Sequence, residues 1–260
     1  MDLTGASAVV IGGTGGFGSA TVRRLVAAGA TTVIADVRDD AGKALADELG
    51  EKAVYAHTDV TSDASVAETF RVAEDLGPVR AVVVVHGGGG AGGRLLGRDG
   101  TPVPTELFAQ SIDIFLNATY RALSIAAASI ARSEPLDSGQ RGVVVTTASI
   151  AGLEGQVGQT AYGAAKAGVI GLTLPAARDL APVGIRVVTI APGTFFTPAF
   201  GMSEEEAYQR FGTAIQNPKR MGRADEYAAL ALHIVDNDYL NGETIRLDGA
   251  LRFPASPKKG

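Results

Sequence analysis

The sequence predicts an α/β protein: a single domain on a doubly wound parallel sheet with helices on both faces. Three observations carry this. Short apolar runs alternate with amphipathic stretches along all 260 residues. One run, Ala81 to Val85, is apolar throughout and mostly valine, as a strand buried on both faces reads. No linker, repeat or low-complexity tail beyond Pro254 to Gly260 divides the chain, and about 250 residues is common for one such domain.

The elements follow in order. Ala6 to Ile11 reads as a buried strand that runs into Gly12-Gly13-Thr14-Gly15-Gly16-Phe17-Gly18. Val22, Leu25 and Val26 then recur at helical spacing until Ala28-Gly29. Thr32 to Ala35 is a second strand closed by Asp36, Ala41 to Leu49 a short helix, and Ala53 to His57 a third strand. A helix begins at Asp63 and stops at Leu76-Gly77-Pro78, before the valine strand. From His86 to Pro104 the chain is glycine-rich and then aperiodic, a long loop of the kind that is functional or disordered in compact domains. Helical spacing resumes from Thr105 to about Ala131, and Ser133 to Arg141 is a surface turn. Gly142 to Thr147 is the fifth strand. Thr160 to Leu180 is a long helix in which Pro175 is expected to make a kink or break. Ile185 to Ile190, Ala224 to Val235 and Glu243 to Leu247 complete the pattern as strand, helix and strand.

Composition excludes several functions. The formal net charge is −5, which disfavours nucleic acid and anionic membrane as partners. With no cysteine, the chain has no disulfide, thiolate metal site or cysteine nucleophile, and it fits a reducing cytoplasm. His57, His86 and His233 share no metal-ligand spacing, so no metal site is expected. No apolar run approaches the roughly 20 residues of a membrane span. Met1-Asp2-Leu3-Thr4-Gly5 lacks the basic and apolar regions of a signal peptide. Arginine outnumbers lysine 17 to 6, a bias of GC-rich bacterial genomes.

A strand, a glycine turn and a helix make a pyrophosphate site, because glycines let the backbone approach and the helix N-terminus offers free N–H groups. Here Gly12, Gly16 and Gly18, with Phe17 between the last two, follow the first strand in a Rossmann-like arrangement. Alone such a turn is also just a tight turn. Asp36, 18 residues after Gly18, strengthens it: a carboxylate there binds ribose hydroxyls and repels a 2′-phosphate, favouring NAD over NADP. Arg38 is close enough to soften that preference, and Asp36 also suits a strand-end turn. Asp59 and Val60 could hold the adenine amino group, or cap the helix beginning near Ser62 and Asp63.

Tyr162 and Lys166 stand at i and i+4 on one predicted helix and share a face. An ammonium nearby would lower the phenol pKa from about 10 and let the pair exchange a proton with an alcohol or carbonyl. A lone Tyr-x-x-x-Lys is commonly a solvated helix face. Ser149, thirteen residues earlier at the C-terminal edge of the fifth strand, lies where open α/β sheets bind ligands, and its hydroxyl can meet a substrate oxygen.

On these residues the chain resembles the short-chain dehydrogenases/reductases over essentially its full length. The Gly12-x-x-x-Gly16-x-Gly18 turn, Asp59, Ser149, Tyr162, Lys166 and Pro192-Gly193 keep that family's order and spacing. The segments 156–162, 189–193 and 240–250 are similar to type-2 3-hydroxyacyl-CoA dehydrogenases, which oxidise 3-hydroxyacyl-CoA, and also steroid alcohols, with NAD. The resemblance implies Tyr162 as acid/base, Lys166 as holder of the nicotinamide ribose and Ser149 as anchor of the substrate oxygen. It implies Pro192, Gly193 and Thr197 on the nicotinamide side, and a homotetramer. The chain departs from the family twice. Val84-Val85-His86-Gly87 stands where the family has Asn-Asn-Ala-Gly, and Phe115 stands where a fourth catalytic residue, an asparagine, supports a water chain to the lysine. Asn117, two residues on, points about 200° away on a regular helix. His86 is open to two readings, a proton relay or a strand-end residue lining the cofactor pocket.

Residues 194–220 fall between the sixth strand and the next helix and carry Phe195, Phe196, Phe200, Met202, Tyr208 and Phe211. They suit either a movable lid over an apolar substrate or ordinary packing. Gln156, Phe195 and Phe200 are the substrate candidates. No basic cluster announces a CoA phosphate, so the acyl-CoA expectation rests on resemblance. Two functions stand against each other. The first is an NAD-dependent oxidoreductase interconverting a secondary alcohol and a ketone, on 3-hydroxyacyl-CoA or a similar apolar small molecule. The second is an NAD-binding homologue with weak or no turnover, acting as a sensor or structural protein. Ser149, Tyr162 and Lys166 favour the first; Phe115 and the 84–87 segment favour the second.

Overall fold

The computed structural model describes residues 1–87, 93–197 and 201–253. Its centre is a seven-stranded sheet of β1 (Ser7–Ile11), β2 (Thr31–Asp36), β3 (Ala53–His57), β4 (Val79–Val84), β5 (Gly142–Thr147), β6 (Ile185–Pro192) and β9 (Thr244–Leu247). Every pairing is parallel, in the order β3-β2-β1-β4-β5-β6-β9. A short parallel pair, β7 (Phe195–Phe196) with β8 (Gly222–Arg223), stands apart from it. The helices are α1 (Gly16–Ala27), α2 (Asp39–Leu49), α3 (Asp63–Leu76), α4 (Thr105–Ile112), α5 (Ala118–Ala131), α6 (Ala151–Glu154), α7 (Thr160–Leu180), α8 (Glu204–Ala207) and α9 (Ala224–Asp236).

The period-two alternation of a strand divides the core into two layers. Val10, Ile34, Val83, Val145 and Val188 pack with Val22 and Leu25 of α1 and Tyr227 and Ile234 of α9. Their chain neighbours Val9, Val33, Val82, Val144 and Val187 face the other way, onto Phe70 of α3, Ala126 and Ile130 of α5 and Ala177 of α7. A sheet covered on both faces needs apolar residues at every position, which is why these strands carry no alternating polar pattern. The strand order reverses between β1 and β4, and the crevice beyond their C-terminal ends is where such a fold binds its ligand.

The structure departs from the sequence expectation at several points. Pro175 lies inside α7, which continues unbroken to Leu180. A proline costs a helix interior about 3 kcal/mol, but Val169, Thr173 and Ala177 keep the inner face of α7 buried on both sides of it. The predicted 105–131 helix is α4 and α5 joined by a π-helical turn, Asp113–Asn117. This stretch is also long and apolar enough, at a mean hydropathy of 1.3, to cross a membrane by length and composition alone. Half of that window is buried within the fold, as in a core helix. The β7–β8 pair, α6 and α8 carry no signal in the periodicity, because each is too short to show one.

Candidate active site

The loop between β1 and α1 is shaped by close backbone contacts. A Cβ on Gly18 would overlap the Gly12 carbonyl, and one on Gly12, at φ +87°, would strike the backbone of His86. The cap residue Gly15 offers α1 no side chain, so the N–H groups of the first turn stay available to an anion. Phe17 turns its ring inward, stacked on Tyr227 at 4.5 Å and edge-on to Phe195 at 5.0 Å. What Phe17 offers a ligand is therefore its backbone.

Asp36 closes β2 beside this loop and is 8 % exposed. Its carboxylate accepts from Thr14 N at 3.0 Å and Arg38 N at 3.2 Å. Burial pushes its pKa up, but these bonds together outweigh burial and hold it below the ordinary value. The Thr14 hydroxyl is buried beside this carboxylate and also holds its pKa down. An uncapped helix start and an ionised carboxylate at a strand end, with a buried hydroxyl between them, fit the pyrophosphate and ribose of a dinucleotide. Asp59 engages Thr61 through Oδ1, while Ser62 is the residue that caps α3. Val60 is half-buried, and its carbonyl accepts from Arg121. Gly193 follows Pro192 at the end of β6, with its N–H on Leu247 O at 2.9 Å and no room for a Cβ against Asp248. Thr197, just after β7, is half-buried.

Ser149, Tyr162 and Lys166 come together at the C-terminal edge of β5. The Ser149 hydroxyl hydrogen-bonds the Tyr162 oxygen. Lys166 is 4 % exposed and donates from Nζ to the Thr147 carbonyl at 2.8 Å. Burial lowers the lysine to about 8. Burial also pushes the Tyr162 phenol above its ordinary value, although the Ser149 bond pulls the other way. The expectation that Lys166 lowers the phenol pKa is thus not met. The ammonium is committed to Thr147 and lies 5.8 Å from the Tyr162 ring centroid, and desolvation decides the sign.

Phe115 occupies the third side of this pair. Its ring is 3 % exposed, edge-on to Tyr162 at 5.0 Å, with Lys166 Nζ 5.1 Å from its centroid. The helix is distorted here, yet Asn117 remains exposed and donates to Asp113 Oδ1 at 3.3 Å, so it does not replace the missing amide. His86 Nε2 bonds the Ile114 carbonyl at 2.8 Å. Burial, then the Lys166 charge, lowers His86 to about 4, so the ring is neutral with its hydrogen on Nε2. That hydrogen points at a carbonyl that cannot pass it on, so the relay reading of His86 fails.

Thr147 is a residue the motif reading missed. Its carbonyl holds Lys166, while its hydroxyl donates to Val84 O at 2.7 Å and meets the Tyr227 hydroxyl at 2.6 Å. The one signal in the sequence is a pair of threonines, Thr146 and Thr147, ending an otherwise aliphatic strand. On the substrate side, Gln156 is exposed between α6 and α7. Phe195 is 7 % exposed and packs into the core. It also borders a cavity of about 240 Å³ with Thr194, Ile215, Pro218, Arg220 and Leu247. Phe200 lies outside the described residues. Among the described residues no three His, Asp or Glu gather as a metal site.

A parallel sheet with a glycine turn at the start of α1 and a Ser-Tyr-Lys set at its carboxyl edge defines a nicotinamide-dependent oxidoreductase. The short chain dehydrogenase family profile matches residues 6–207, and the chain belongs to that family. It is 43 % identical over 252 residues to the human 3-hydroxyacyl-CoA dehydrogenase type-2, covering 96 % of this chain and 97 % of that protein. It is 40 % identical to the Drosophila melanogaster protein of the same name, covering 96 % and 99 %. The crystal structure of 3-hydroxyacyl-CoA dehydrogenase type-2 from Mycobacterium avium superposes with a TM-score of 0.94 at 54 % identity, covering 97 % of this chain and 98 % of that one.

Proposed function

We propose that the protein is an NAD-dependent oxidoreductase that interconverts a secondary alcohol and a ketone on a 3-hydroxyacyl-CoA or a similar apolar substrate. The observation that carries this is the buried face of α7, where Tyr162 bonds Ser149 and Lys166 is anchored on Thr147. A nicotinamide cofactor supplies hydride acceptance in one direction and hydride donation in the other. The protein supplies the proton. Tyr162, a neutral phenol at rest, gives it to the ketone oxygen in reduction and as the phenolate takes it back from the alcohol oxygen in oxidation, while the Ser149 hydroxyl holds that oxygen. Lys166, desolvated and fixed, sets the field at the phenol and would meet the nicotinamide ribose. Gly12, Gly16, Gly18 and the backbone of Phe17 would hold the pyrophosphate, Asp36 the adenosine ribose and Asp59 with Val60 the adenine. Pro192, Gly193 and Thr197 would flank the nicotinamide.

Asp36 supports NAD over NADP, because its ionised carboxylate opposes a 2′-phosphate. Residues 194–220 serve in this reading as the substrate cover, with Gln156 at the mouth. A homotetramer and a cytoplasmic location belong to the same proposal. The first rests on the family and is read by light scattering; the second is supported by a chain without cysteine. The deciding experiment is a panel of 3-hydroxyacyl-CoA, steroid and simple secondary alcohols with NAD or NADP, run on wild type and Tyr162→Phe. We expect NAD-linked turnover on the thioesters and a loss of about 10²–10⁴ in the variant. Near-wild-type turnover by Tyr162→Phe with cofactor still bound overturns the mechanism.

A further inference from the structure

We infer that His86 is a positioning residue: by holding the Ile114 carbonyl it fixes the π-helical turn that presents Phe115 to Tyr162 and Lys166. The inference rests on the reading of Tyr162 and Lys166 as the proton-handling pair and extends it to a residue outside the site.

A π-helical turn takes carbonyls out of the regular i→i+4 register, so they look for other partners. Two carbonyls of the 113–117 turn find side chains. Phe115 O accepts from Thr119 Oγ1 at 2.8 Å, and Ile114 O accepts from His86 Nε2 at 2.8 Å. The two anchors are not equivalent. Thr119 belongs to the same helix and moves with it. His86 follows β4, whose end is tied to β1 through Val85 N on Ile11 O at 2.9 Å, and its backbone fills the space that Gly12 leaves open. His86 is therefore the polar tie between this turn and the sheet.

The ring itself shows that this bond is its polar task. A carbonyl only accepts, so Nε2 carries the hydrogen and Nδ1 is a bare acceptor. Nδ1 is buried without a partner. A ring nitrogen left this way costs about 1–3 kcal/mol, which an aliphatic side chain of similar volume would not incur. The residue after Ile114 is Phe115, in ring contact with Tyr162 and under the Lys166 ammonium. A slip of one residue in the turn rotates a helix by about 100° and would carry that ring off the pair.

The test uses His86→Leu, which removes the donor, and His86→Gln, whose amide reaches the same carbonyl. Each is made alone and with Phe115→Leu. Amide hydrogen exchange of residues 113–119 is read on cofactor-free protein. Turnover is read with acetoacetyl-CoA and NADH, and NADH affinity by fluorescence. We expect His86→Leu to speed exchange in this segment about tenfold or more, and His86→Gln to restore protection. His86→Leu should raise kcat about tenfold, because a displaced Phe115 ring no longer shields Lys166 from water, with NADH affinity little changed and with the wild-type rate restored by glutamine. In the Phe115→Leu background the same change should add nothing, because the two act through one contact. Should leucine fail to fold, His86→Asn, too short to reach Ile114, takes its place. Unchanged exchange, a fall in kcat, equal kcat changes in both backgrounds, or glutamine indistinguishable from leucine overturns the inference. Tyr162→Phe in parallel separates the two ideas: its full activity sinks the acid/base reading, whereas its inactivity beside an unaffected His86→Leu sinks only this one. A wild type inert on acetoacetyl-CoA counts against the function, and hydrogen exchange then decides the tie.

Discussion

At the scale of single residues the decisive position is Phe115. An aromatic ring packed against both Lys166 and Tyr162 helps bury the lysine, and the lysine's fall to about 8 is the electrostatic result of burial. If proton exchange with solvent passes this side of the site, Phe115 slows the reset of Tyr162 after each cycle without touching the pyrophosphate loop. Phe115→Asn is therefore expected to raise kcat, leave NAD affinity little changed, and lower the melting temperature. The loss of stability is that of an amide placed among buried apolar groups, about 1–3 kcal/mol. Measuring kcat and melting temperature on the same protein checks it. A destabilised variant with no gain in rate means that Phe115 packs the core and proton release runs elsewhere.

At the scale of elements the β1–turn–α1 unit shows how local geometry makes a site. Gly18 is the first full turn of α1 laid against the Gly12 carbonyl, and Gly12 at φ +87° brings that turn under β4. Gly18→Ala forces the loop open and moves the free N–H groups of α1, while the sheet behind it stays as it was. The expected outcome is a fall in NAD affinity of about tenfold or more, with a smaller change in melting temperature. Calorimetric titration of the cofactor against the unfolding curve separates the two, and unchanged affinity would remove the loop from the binding site. The glycines, Asp36 and the Tyr162–Lys166 spacing were all legible because they are local patterns. The π-helical turn was not, since nothing in 113–117 distinguishes it from regular helix until His86 and Thr119 are seen to take its carbonyls.

At the scale of the whole molecule the buried titratable groups couple folding to pH. Burial and the Lys166 charge lower His86 from 6.5 to about 4, so the folded protein keeps it neutral while the unfolded chain protonates it. Its contribution to stability is complete above pH 6.5 and disappears as pH falls through 4. That contribution is roughly 3 kcal/mol, because each tenfold loss of proton affinity on folding is worth about 1.4 kcal/mol. Lys166 is depressed too, so its share is complete only above its ordinary value of 10.5 and is lost as pH falls through about 8. Acidification between about 6.5 and 4 should therefore destabilise wild type more steeply than His86→Gln. Urea unfolding of both at several pH values reads this directly, and parallel curves would show that the histidine is not held neutral by the fold.

By itself the sequence determined the class of fold, the alternation of strand and helix and the glycine turn between β1 and α1. It also determined the Ser149, Tyr162 and Lys166 set, because each is written in residues close along the chain or in a fixed spacing. Only the tertiary structure decided the protonation of that set. Tyr162 and Lys166 sit at i and i+4 whatever surrounds them, but their pKa values follow from burial and from where the ammonium is bonded, here on Thr147, nineteen residues away. It likewise decided that Phe195 faces the core, that α7 runs through Pro175, and that His86 reaches across 28 residues to Ile114. These outcomes depend on contacts between distant segments, and no local pattern of residue types encodes a desolvation or a partner brought up by another element.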